Sequence, residues 1–382
     1  MTRAGARLME GWERGFHGTA GRLLDVVGGG YRGLLGAREW LYRRGVLRSR
    51  ALDCPVVSIG NLTLGGTGKT PAVELAVQTL AELGYRPAIV SRGYGRGSAG
   101  IQVVADTASI RLDAEDAGDE PFLLARRLPG IPVVVGGNRH RAAVAAVERF
   151  AVNAIVLDDG FQHRTLRKDL EVVMVRAERP WGNGHLLPAG PLREPLGALR
   201  RADLVVAVGA RTSEEASEVF ASVAAHAPGV PVLLAEHVPT ECIEIGVRAE
   251  RRPAEPRREA SAETIGHVRA AAPGRLAGMR VLAFAGIGSP RGFERTLTDV
   301  GASVVEVVAF PDHHWYSRDD LLALERRAAA AGAGALVTTE KDWVRLRRLS
   351  PPRPLFVLTV KLALRAGEAR WRAAFERACS RP

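Results

Sequence analysis

The chain has 382 residues, 46% of them hydrophobic and 25% charged, which is enough for about two globular domains with sizeable cores. Its net charge of +11 favours anionic lipid or a phosphorylated substrate over nucleic acid, because no nucleic-acid module is recognisable. Three widely spaced cysteines argue against a disulfide framework and a zinc motif, and neither a membrane span nor a signal peptide is expected.

The first 50 residues carry apolar side chains at three- and four-residue steps, with arginines between them. This pattern is typical of an amphipathic helix at a membrane surface, where each arginine contributes on the order of 1 kcal/mol near anionic lipid. A helical hairpin packed on the core fits the pattern equally well, and one helix can do both. We predict a helical segment that is broken near residues 28–30.

A glycine-rich turn joins an apolar run, residues 55–59, to a segment of helical periodicity after Thr70. In a phosphate-binding loop, glycine amides surround phosphate oxygens, a lysine reaches the terminal phosphates and a hydroxyl ligates magnesium. The usual glycine five positions before Gly68 is replaced by Thr63, and an ordinary strand-to-helix turn is the alternative. The predicted nucleotide-binding residues are Gly65, Gly66, Thr67, Gly68, Lys69 and Thr70.

The strand predicted over residues 86–91 leads into Arg92, Tyr94 and Arg96. Because the carboxyl ends of parallel strands face the ligand crevice, these residues are candidates for phosphate contact, stacking or lining. A Gly-Tyr-Gly loop taken alone is more often structural. Downstream, Asp119 has the sequence context of a helix N-cap.

An apolar run at residues 154–157 ends in Asp158 and Asp159. In proteins with a phosphate-binding loop, an aspartate at the end of a downstream strand holds magnesium and its water shell. Asp158 is therefore the expected partner of the metal, and Asp159 is expected to orient a neighbouring group. A guanine-nucleotide switch is disfavoured because its Asp-x-x-Gly and Asn-Lys-x-Asp motifs are absent. A dimeric deviant-loop ATPase is disfavoured because Leu64 replaces its signature lysine.

Strands and helices alternate again after residue 204 and predict a second parallel-sheet domain. The proline- and glycine-rich residues 179–195 are typical of a boundary or a substrate loop, and residues 249–262 of an exposed insertion. His313 follows a strand, where a histidine can act as base, tune a base or donate to phosphate. A metal site there is disfavoured because further ligands at usable spacing are missing.

Taken together, these motifs resemble the tetraacyldisaccharide 4′-kinase family, the lipid A 4′-kinases of Gram-negative bacteria. They occur in the family's order, and Thr63 belongs to the family pattern. The matching segments are residues 60–71, 91–94, 118–121, 158–163, 188–194, 310–313 and 339–342.

The resemblance implies transfer of the ATP γ-phosphoryl group, with Mg²⁺, to the 4′-hydroxyl of a tetraacyldisaccharide 1-phosphate. It makes Asp119 the general base, in place of the N-cap interpretation, and pairs His313 with it. The implied catalytic residues are Asp119, His313, Lys69 and Asp159; the metal residues are Thr70 and Asp158; the substrate or closure residues are Tyr94, Arg139, Gln162, His163, Arg193 and Glu194.

The implied fold is α/β, with two α/β/α lobes of mainly parallel sheet, the first of them P-loop NTPase-like, and linker strands expected at residues 172–175 and 356–360. The expected domains are residues 1–50, a membrane-associating helical segment; 51–175, a P-loop kinase domain; 176–350, a second α/β domain; and 351–382, a linker strand and helix.

The expected protein is a monomer that lies on the cytoplasmic face of the inner membrane, binds its lipid substrate there, closes its lobes for catalysis and binds no nucleic acid. Two other functions stay open. A kinase for a soluble sugar or nucleotide would not need the basic amphipathic N-terminus. A membrane-bound nucleotide sensor without phosphoryl transfer would leave Asp119 and His313 without a role.

Overall fold

The computed structural model describes Trp12 and residues 18–246, 268–346, 349, 351 and 353–380. The predicted insertion at residues 249–262 lies outside these residues, as does most of the chain before residue 18. The chain divides into two compact units, Met1–Glu236 with Leu362–Pro382 (unit 1) and His237–Lys361 (unit 2). Two strands, Val232–Ile245 and Leu355–Ala366, run from one unit into the other.

Helices and strands alternate along most of the described chain. In order they are α1 (Gly18–Arg43), β1 (Val56–Gly60), α2 (Lys69–Glu82), β2 (Pro87–Ser91), β3 (Gln102–Ala105), α3 (Ala114–Ala117), α4 (Asp119–Arg127), β4 (Val133–Val135), α5 (Arg139–Phe150), β5 (Ala154–Asp158), β6 (Leu170–Arg176), β7 (Leu204–Val208), α6 (Ser217–His226), β8 (Val232–Ile245), β9 (Val268–Ala271), β10 (Arg280–Ala285), α7 (Pro290–Asp299), β11 (Ser303–Ala309), α8 (Arg318–Ala330), β12 (Ala335–Thr339), α9 (Glu340–Leu346), β13 (Leu355–Ala366) and α10 (Glu368–Cys379). Short 3-10 helices form at Leu196–Arg201 and Pro273–Leu276.

The sheet of unit 1 has the strand order β8-β7-β6-β1-β5-β2-β4-β3. β3 pairs antiparallel with β4, and the other neighbouring strands are parallel. β1, β2, β5 and β7 are buried along their whole length, which explains why their sequences are continuous apolar runs without alternation. In the β1–β5 register Ile59 lies beside Asp158, so the end of β5 reaches the turn after β1.

In unit 2 the strands follow the order β11-β10-β12-β13 and pair in parallel. Beyond β13 comes β8, whose end pairs antiparallel with β9. Successive side chains of a strand point to opposite faces, and β10 accordingly supplies two clusters. Leu282 and Phe284 belong to one cluster, and Val281 and Ala283 belong to the other. The sheet of unit 2 is therefore packed on both faces, as in an α/β layer.

The structure confirms the predicted α/β fold class with its mainly parallel sheet. The layout differs from the sequence-based expectation in three places. Residues 172–175 are not a linker: they belong to β6, which pairs with β1 and β7 inside unit 1, and the strands that run between the units are β8 and β13. β7 and α6, expected in the second domain, belong to unit 1 because β7 continues its sheet beside β6.

The third difference concerns the N-terminal helix, where the predicted break near residues 28–30 is wrong. α1 runs through the three glycines without interruption. Gly28 is buried, and a Cβ atom there would lie 3.8 Å from the main-chain oxygen of Leu187, so its small size lets the helix approach that segment closely. A glycine costs only about 1 kcal/mol within a helix relative to alanine, so it weakens a helix without having to end it.

α1 has one packed side and one exposed apolar side. Tyr31 and Leu35 pack against the buried cluster around β6 and β7. Leu23, Val26 and Leu34 are 66%, 72% and 71% exposed, and with their helical spacing they form an apolar stripe. Among the described helices, none combines the length and apolarity needed to cross a bilayer.

Candidate active site

The turn between β1 and α2 has the geometry of a phosphate-binding loop. Gly68, which precedes α2, has φ +80°, a left-handed conformation that glycine adopts without strain. Asn61 Nδ2 donates to Thr67 Oγ1 at 2.9 Å and fixes the turn from within. From outside, the main chain of Arg193 donates to Leu62 O at 2.7 Å. The loop is therefore preformed, with the amino end of α2 directed at the space that it surrounds.

Oγ1 of Thr70 and Oδ1 of Asp158 are buried at this loop without a hydrogen-bond partner among the described residues, as are Oγ of Ser58 and Oε1 of Gln162 nearby. Asp158 is 1% exposed, and its other oxygen accepts a hydrogen bond from Ser91 at 2.9 Å. Burial, followed by the charges of Glu120 and Asp159, raises the pKa of Asp158 to about 7. Buried polar atoms are almost always paired, so this unpaired set indicates a site for a polar ligand.

The Thr70 and Asp158 oxygens also fit a magnesium ion. Mg²⁺ prefers hard oxygen ligands and is usually held by one or two carboxylates together with substrate phosphates and water. Across the described parts of the chain, no group of three or more His, Cys, Asp and Glu side chains could hold a metal by itself. A site of one hydroxyl and one carboxylate therefore requires phosphate oxygens to complete it.

Asp159 lies between two cations. Its Oδ1 is 3.6 Å from Lys69 Nζ, and both carboxylate oxygens accept hydrogen bonds from the Arg193 guanidinium, at 2.8 and 2.7 Å. Burial opposes the ionisation of Asp159, but Lys69 and Arg193 outweigh it and lower its pKa. Asp159 has φ +54°, a conformation that a non-glycine residue keeps only when its surroundings hold it. Asp159 thus contacts both Lys69 and Arg193, and the expectation that it orients a neighbouring group stays a prediction.

Gln162 and His163 follow in the same loop. Gln162 Nε2 donates to Asn61 O at 2.9 Å, which ties this loop to the phosphate-binding turn. Burial and the nearby charge of Arg139 lower the pKa of His163 to about 4, so its imidazole is neutral at physiological pH. Arg139 is itself buried, and desolvation followed by the charge of Arg92 lowers its pKa. The site thus has a cationic side that suits an anionic substrate.

Glu194 is held from two sides and is buried in a network of arginines. Its Oε1 pairs with Arg38 at 3.0 Å, and its Oε2 pairs with Arg201. Arg201 also lies over the ring of Phe161, 4.5 Å from the centroid. Glu194 therefore connects the N-terminal helix to the loop after β5 in this structure.

Asp119 is the first residue of α4 and is 8% exposed. The N-cap position belongs to Gly118, and Asp119 Oδ1 accepts from the amide of Glu120 at 2.9 Å. Tyr94, in the loop after β2, is 69% exposed, and its main-chain oxygen lies beside Gly118. The loop after β2 and the start of α4 are therefore neighbours in unit 1, and the Tyr94 side chain is exposed beside them.

His313 belongs to unit 2, in the turn that follows β11. It has φ +60°, and its amide donates to Asp312 Oδ1 at 3.1 Å. The adjacent His314 has a different environment, stacked on Phe310 with Nε2 3.1 Å from Asp320. The base role of Asp119 and its pairing with His313 remain predictions, since these residues belong to different units.

The sequence interpretation missed Lys168. Its side chain is only 4% exposed, pairs with Glu171 of β6, and donates to the main-chain oxygens of Gly160 and Phe161, each at 3.4 Å. Burial lowers the pKa of Lys168 and raises that of Glu171, so the pair is held in the interior at an electrostatic cost. The available signal was compositional: Lys168 is one of four lysines in a chain with 53 basic residues.

A phosphate-binding loop at the start of a helix, with an aspartate at the end of the neighbouring parallel strand, defines a P-loop phosphotransferase. Residues 20–380 match the sequence model of the tetraacyldisaccharide-1-P 4′-kinase (LpxK) family. The chain belongs to this family, which confirms the resemblance seen in its motifs.

Individual relatives cover most of the chain. The tetraacyldisaccharide 4′-kinase of Syntrophus aciditrophicus is 44% identical over 335 residues, which span 85% of this chain and 84% of its own length. That of Anaeromyxobacter dehalogenans strain 2CP-C is 45% identical over 328 residues, with coverage of 86% and 82%. The crystal structure described as "apo" form LpxK from Aquifex aeolicus in complex with ATP has a TM-score of 0.64 and 30% identity, covering 91% of this chain and 96% of its own.

Proposed function

We propose that this protein transfers the γ-phosphoryl group of ATP to the 4′-hydroxyl of a tetraacyldisaccharide 1-phosphate in lipid A biosynthesis. The observation that carries the proposal is the preformed loop with unpaired, buried Thr70 Oγ1 and Asp158 Oδ1 beside Lys69. ATP as phosphoryl donor is supported by the ATP complex of the Aquifex relative, and the acceptor by the names of the related kinases.

In this proposal the triphosphate lies in the loop of residues 65–70, and Lys69 contacts its terminal phosphates. Thr70 and Asp158 hold Mg²⁺, which when bound neutralises charge on the phosphate oxygens. A cation favours the ionised form of a nearby carboxyl, so bound Mg²⁺ would lower the raised pKa of Asp158. Asp159 keeps Lys69 in place, and Arg193 keeps Asp159 in place.

We assign the role of general base to Asp119, as the family resemblance implies. A sugar hydroxyl is a weak nucleophile, and a carboxylate that accepts its proton during attack contributes about 10²- to 10⁴-fold to the rate. His313 is the proposed partner that tunes this carboxylate, which requires the two units to bring the side chains together during the reaction. Tyr94, Arg139, Gln162, His163, Arg193 and Glu194 are the proposed substrate and closure residues.

We also propose that the protein acts as a monomer on the cytoplasmic face of the inner membrane. The apolar stripe of Leu23, Val26 and Leu34 supports membrane contact, because a helix that only packs on the core would not need it. The stripe also disfavours a kinase for a soluble sugar or nucleotide, whose substrate would not lie in a bilayer.

A transfer assay with ATP labelled at the γ-phosphate, Mg²⁺ and detergent-dispersed disaccharide 1-phosphate tests the chemistry. Asp119→Asn should lower kcat by about 10²- to 10⁴-fold while ATP still binds, because only proton acceptance is lost. Asp116→Asn, an exposed carboxyl three residues upstream, is the matched control and should keep full activity. Preferred transfer to a soluble sugar, or normal turnover of the Asp119 variant, would refute the proposal.

Membrane contact has its own test. Leu23→Ser combined with Leu34→Ser removes two of the three side chains of the stripe and leaves Tyr31 and Leu35, which pack on the core, unchanged. The variant should move from the bound to the free fraction when centrifuged with anionic vesicles, while turnover in detergent stays unchanged. Equal binding of variant and parent would contradict the assignment.

A further inference from the structure

The packed side of α1 contacts two segments that flank the phosphate-binding loop. Arg38 Nη2 donates to the main-chain oxygen of Gln162 at 3.1 Å and pairs with Glu194 at 3.0 Å. Tyr31 Oη donates to the main-chain oxygen of Arg193 at 3.0 Å. All these residues belong to unit 1. The helix is thus fastened by side chains to two loops that are distant in sequence.

Two of these contacts are made to the main chain of residues whose side chains reach the site, and the third is made to Glu194, the neighbour of Arg193. The side chain of Gln162 donates to Asn61 O at 2.9 Å, and the guanidinium of Arg193 holds both oxygens of Asp159. Arg193 also pairs with Asn61 through its side chain. A shift of α1 would therefore displace the main chain that carries the groups around Lys69 and Asp159.

Asp159 is the member of this group that depends most on its surroundings. Its left-handed backbone costs on the order of 1 to 3 kcal/mol and persists only where neighbouring contacts hold it. The bidentate pair with Arg193 is the strongest contact that holds its side chain, because charged, parallel hydrogen bonds fix both distance and angle. Support of Arg193 and Glu194 from α1 consequently limits how far Asp159 can relax.

We propose that Arg38 and Tyr31 are positioning residues for phosphoryl transfer. Through Arg193 and the Gln162 loop they hold Asp159 and Lys69 in the reactive arrangement, so the docked state of α1 sets the rate of the chemical step. The inference rests on the proposed kinase function. It also means that one helix carries both the exposed apolar stripe and the side chains that order the site.

The test compares Arg38→Ala and Tyr31→Phe with Arg32→Ala, in which an exposed arginine of the same helix is removed. The substrate is dispersed in detergent, so that loss of membrane binding does not affect the rate. We expect kcat to fall about 10- to 100-fold for Arg38→Ala and several-fold for Tyr31→Phe, with little change in the KM for ATP. The control should keep the parental kcat.

A double-mutant cycle with Arg193→Lys separates positioning from general loss of structure, because lysine keeps the charge but cannot form the bidentate pair. If Arg38 acts through Arg193, its replacement has a much smaller effect in the Arg193→Lys background. A parental kcat for Arg38→Ala, or additive effects in the cycle, would overturn the inference. Should Arg38→Ala fail to fold, Tyr31→Phe, which removes a single hydroxyl, decides by the same two criteria. Absence of transfer by the unmodified protein would instead refute the proposed function.

Discussion

The two units each contain a buried aspartate at the junction that follows a parallel strand, and the two aspartates differ in their hydrogen bonding. In unit 1, Asp158 ends β5 and leaves one carboxylate oxygen without a partner among the described residues. In unit 2, Asp342 lies in the first turn of α9 and is completely buried. Its oxygens accept from the amide of Gly286 at 2.8 Å, from Tyr316 at 2.7 Å and from Thr339 at 2.6 Å.

The difference in hydrogen bonding distinguishes an aspartate at a ligand site from an aspartate that stabilises the fold. Asp342 fastens the ends of β10 and β12 to the turn after β11, and its hydrogen-bonding capacity is used within the protein. Asp158 and Thr70 keep buried capacity unused, which is unfavourable unless a ligand supplies the partners. Residues 339–342 belong to the motifs that resemble the family's, and within this motif the Asp342 carboxylate is bound by groups of unit 2.

The largest expected effect is on the phosphoryl-transfer rate, when the junction of unit 1 that contains Asp158 is altered. Lys69→Ala removes the cation next to Asp159 and should lower the transfer rate about a thousandfold, because preorganised charge at the transferring group is lost. Lys361→Ala, which removes an exposed lysine of unit 2, is the control and should leave the rate unchanged. The labelled-ATP assay measures both, and a rate for the Lys69 variant within tenfold of the parent would place the phosphate contact elsewhere.

The second prediction concerns stability at the other junction. Asp342→Asn turns an acceptor into a donor that faces other donors, and should lower the free energy of unfolding by about 3 kcal/mol. Urea unfolding followed by circular dichroism measures the loss. Activity per folded molecule should remain near the parental value. If the variant had parental stability but no activity, Asp342 would have a role in the reaction and not in the stability of the fold.

The third prediction uses the raised pKa of Asp158. A carboxyl whose pKa is about 7 in the folded protein, above its usual value of 3.8, binds its proton more tightly when folded. It therefore stabilises the fold fully below about pH 4, and this contribution is lost as the pH rises through about 7. Asp158→Asn should remove that slope, so that the nucleotide-free variant is more stable than the parent at pH 8 by on the order of 1 to 3 kcal/mol.

Melting temperatures at a series of pH values, without nucleotide or magnesium, give the comparison. Asp116→Asn should melt in parallel with the parent, since this carboxyl is exposed. Parallel curves for the Asp158 variant as well would show that its carboxyl is not desolvated in solution.

The smallest expected effect contrasts two hydroxyls. Thr339→Val removes a donor to Asp342 and should cost about 1 kcal/mol of unfolding free energy. Thr70→Val removes a hydroxyl without a hydrogen-bond partner in the described part of the chain. The unfolding free energy of the nucleotide-free protein should therefore change by no more than about 0.5 kcal/mol, while turnover is reduced. Equal destabilisation by both substitutions, measured by urea unfolding, would mean that Thr70 already has a partner within the protein.

Much of the site around Asp158 was predictable from the sequence, because the patterns that indicate it lie within short stretches of the chain. The phosphate-binding loop, its strand and its helix depend on neighbouring glycines and apolar runs, and Asp158 and Asp159 end a run that a buried strand requires. The boundary between the units was not predictable, because β7 has the same apolar sequence in either sheet and only its pairing with β6 assigns it to unit 1. Arg38 and Lys168 were missed because one arginine among many and one internal lysine carry no local pattern.

By itself, the sequence determined the α/β class, the phosphate-binding loop and the family, since each is recognised from short motifs and local periodicity along the chain. Tertiary structure alone decided which polar groups stay unpaired, which side of α1 packs, and how Arg193 reaches Asp159. The physical reason is that burial and hydrogen-bond partnership arise between segments far apart in sequence, and these set the pKa of Asp158 and the orientation of Asp159.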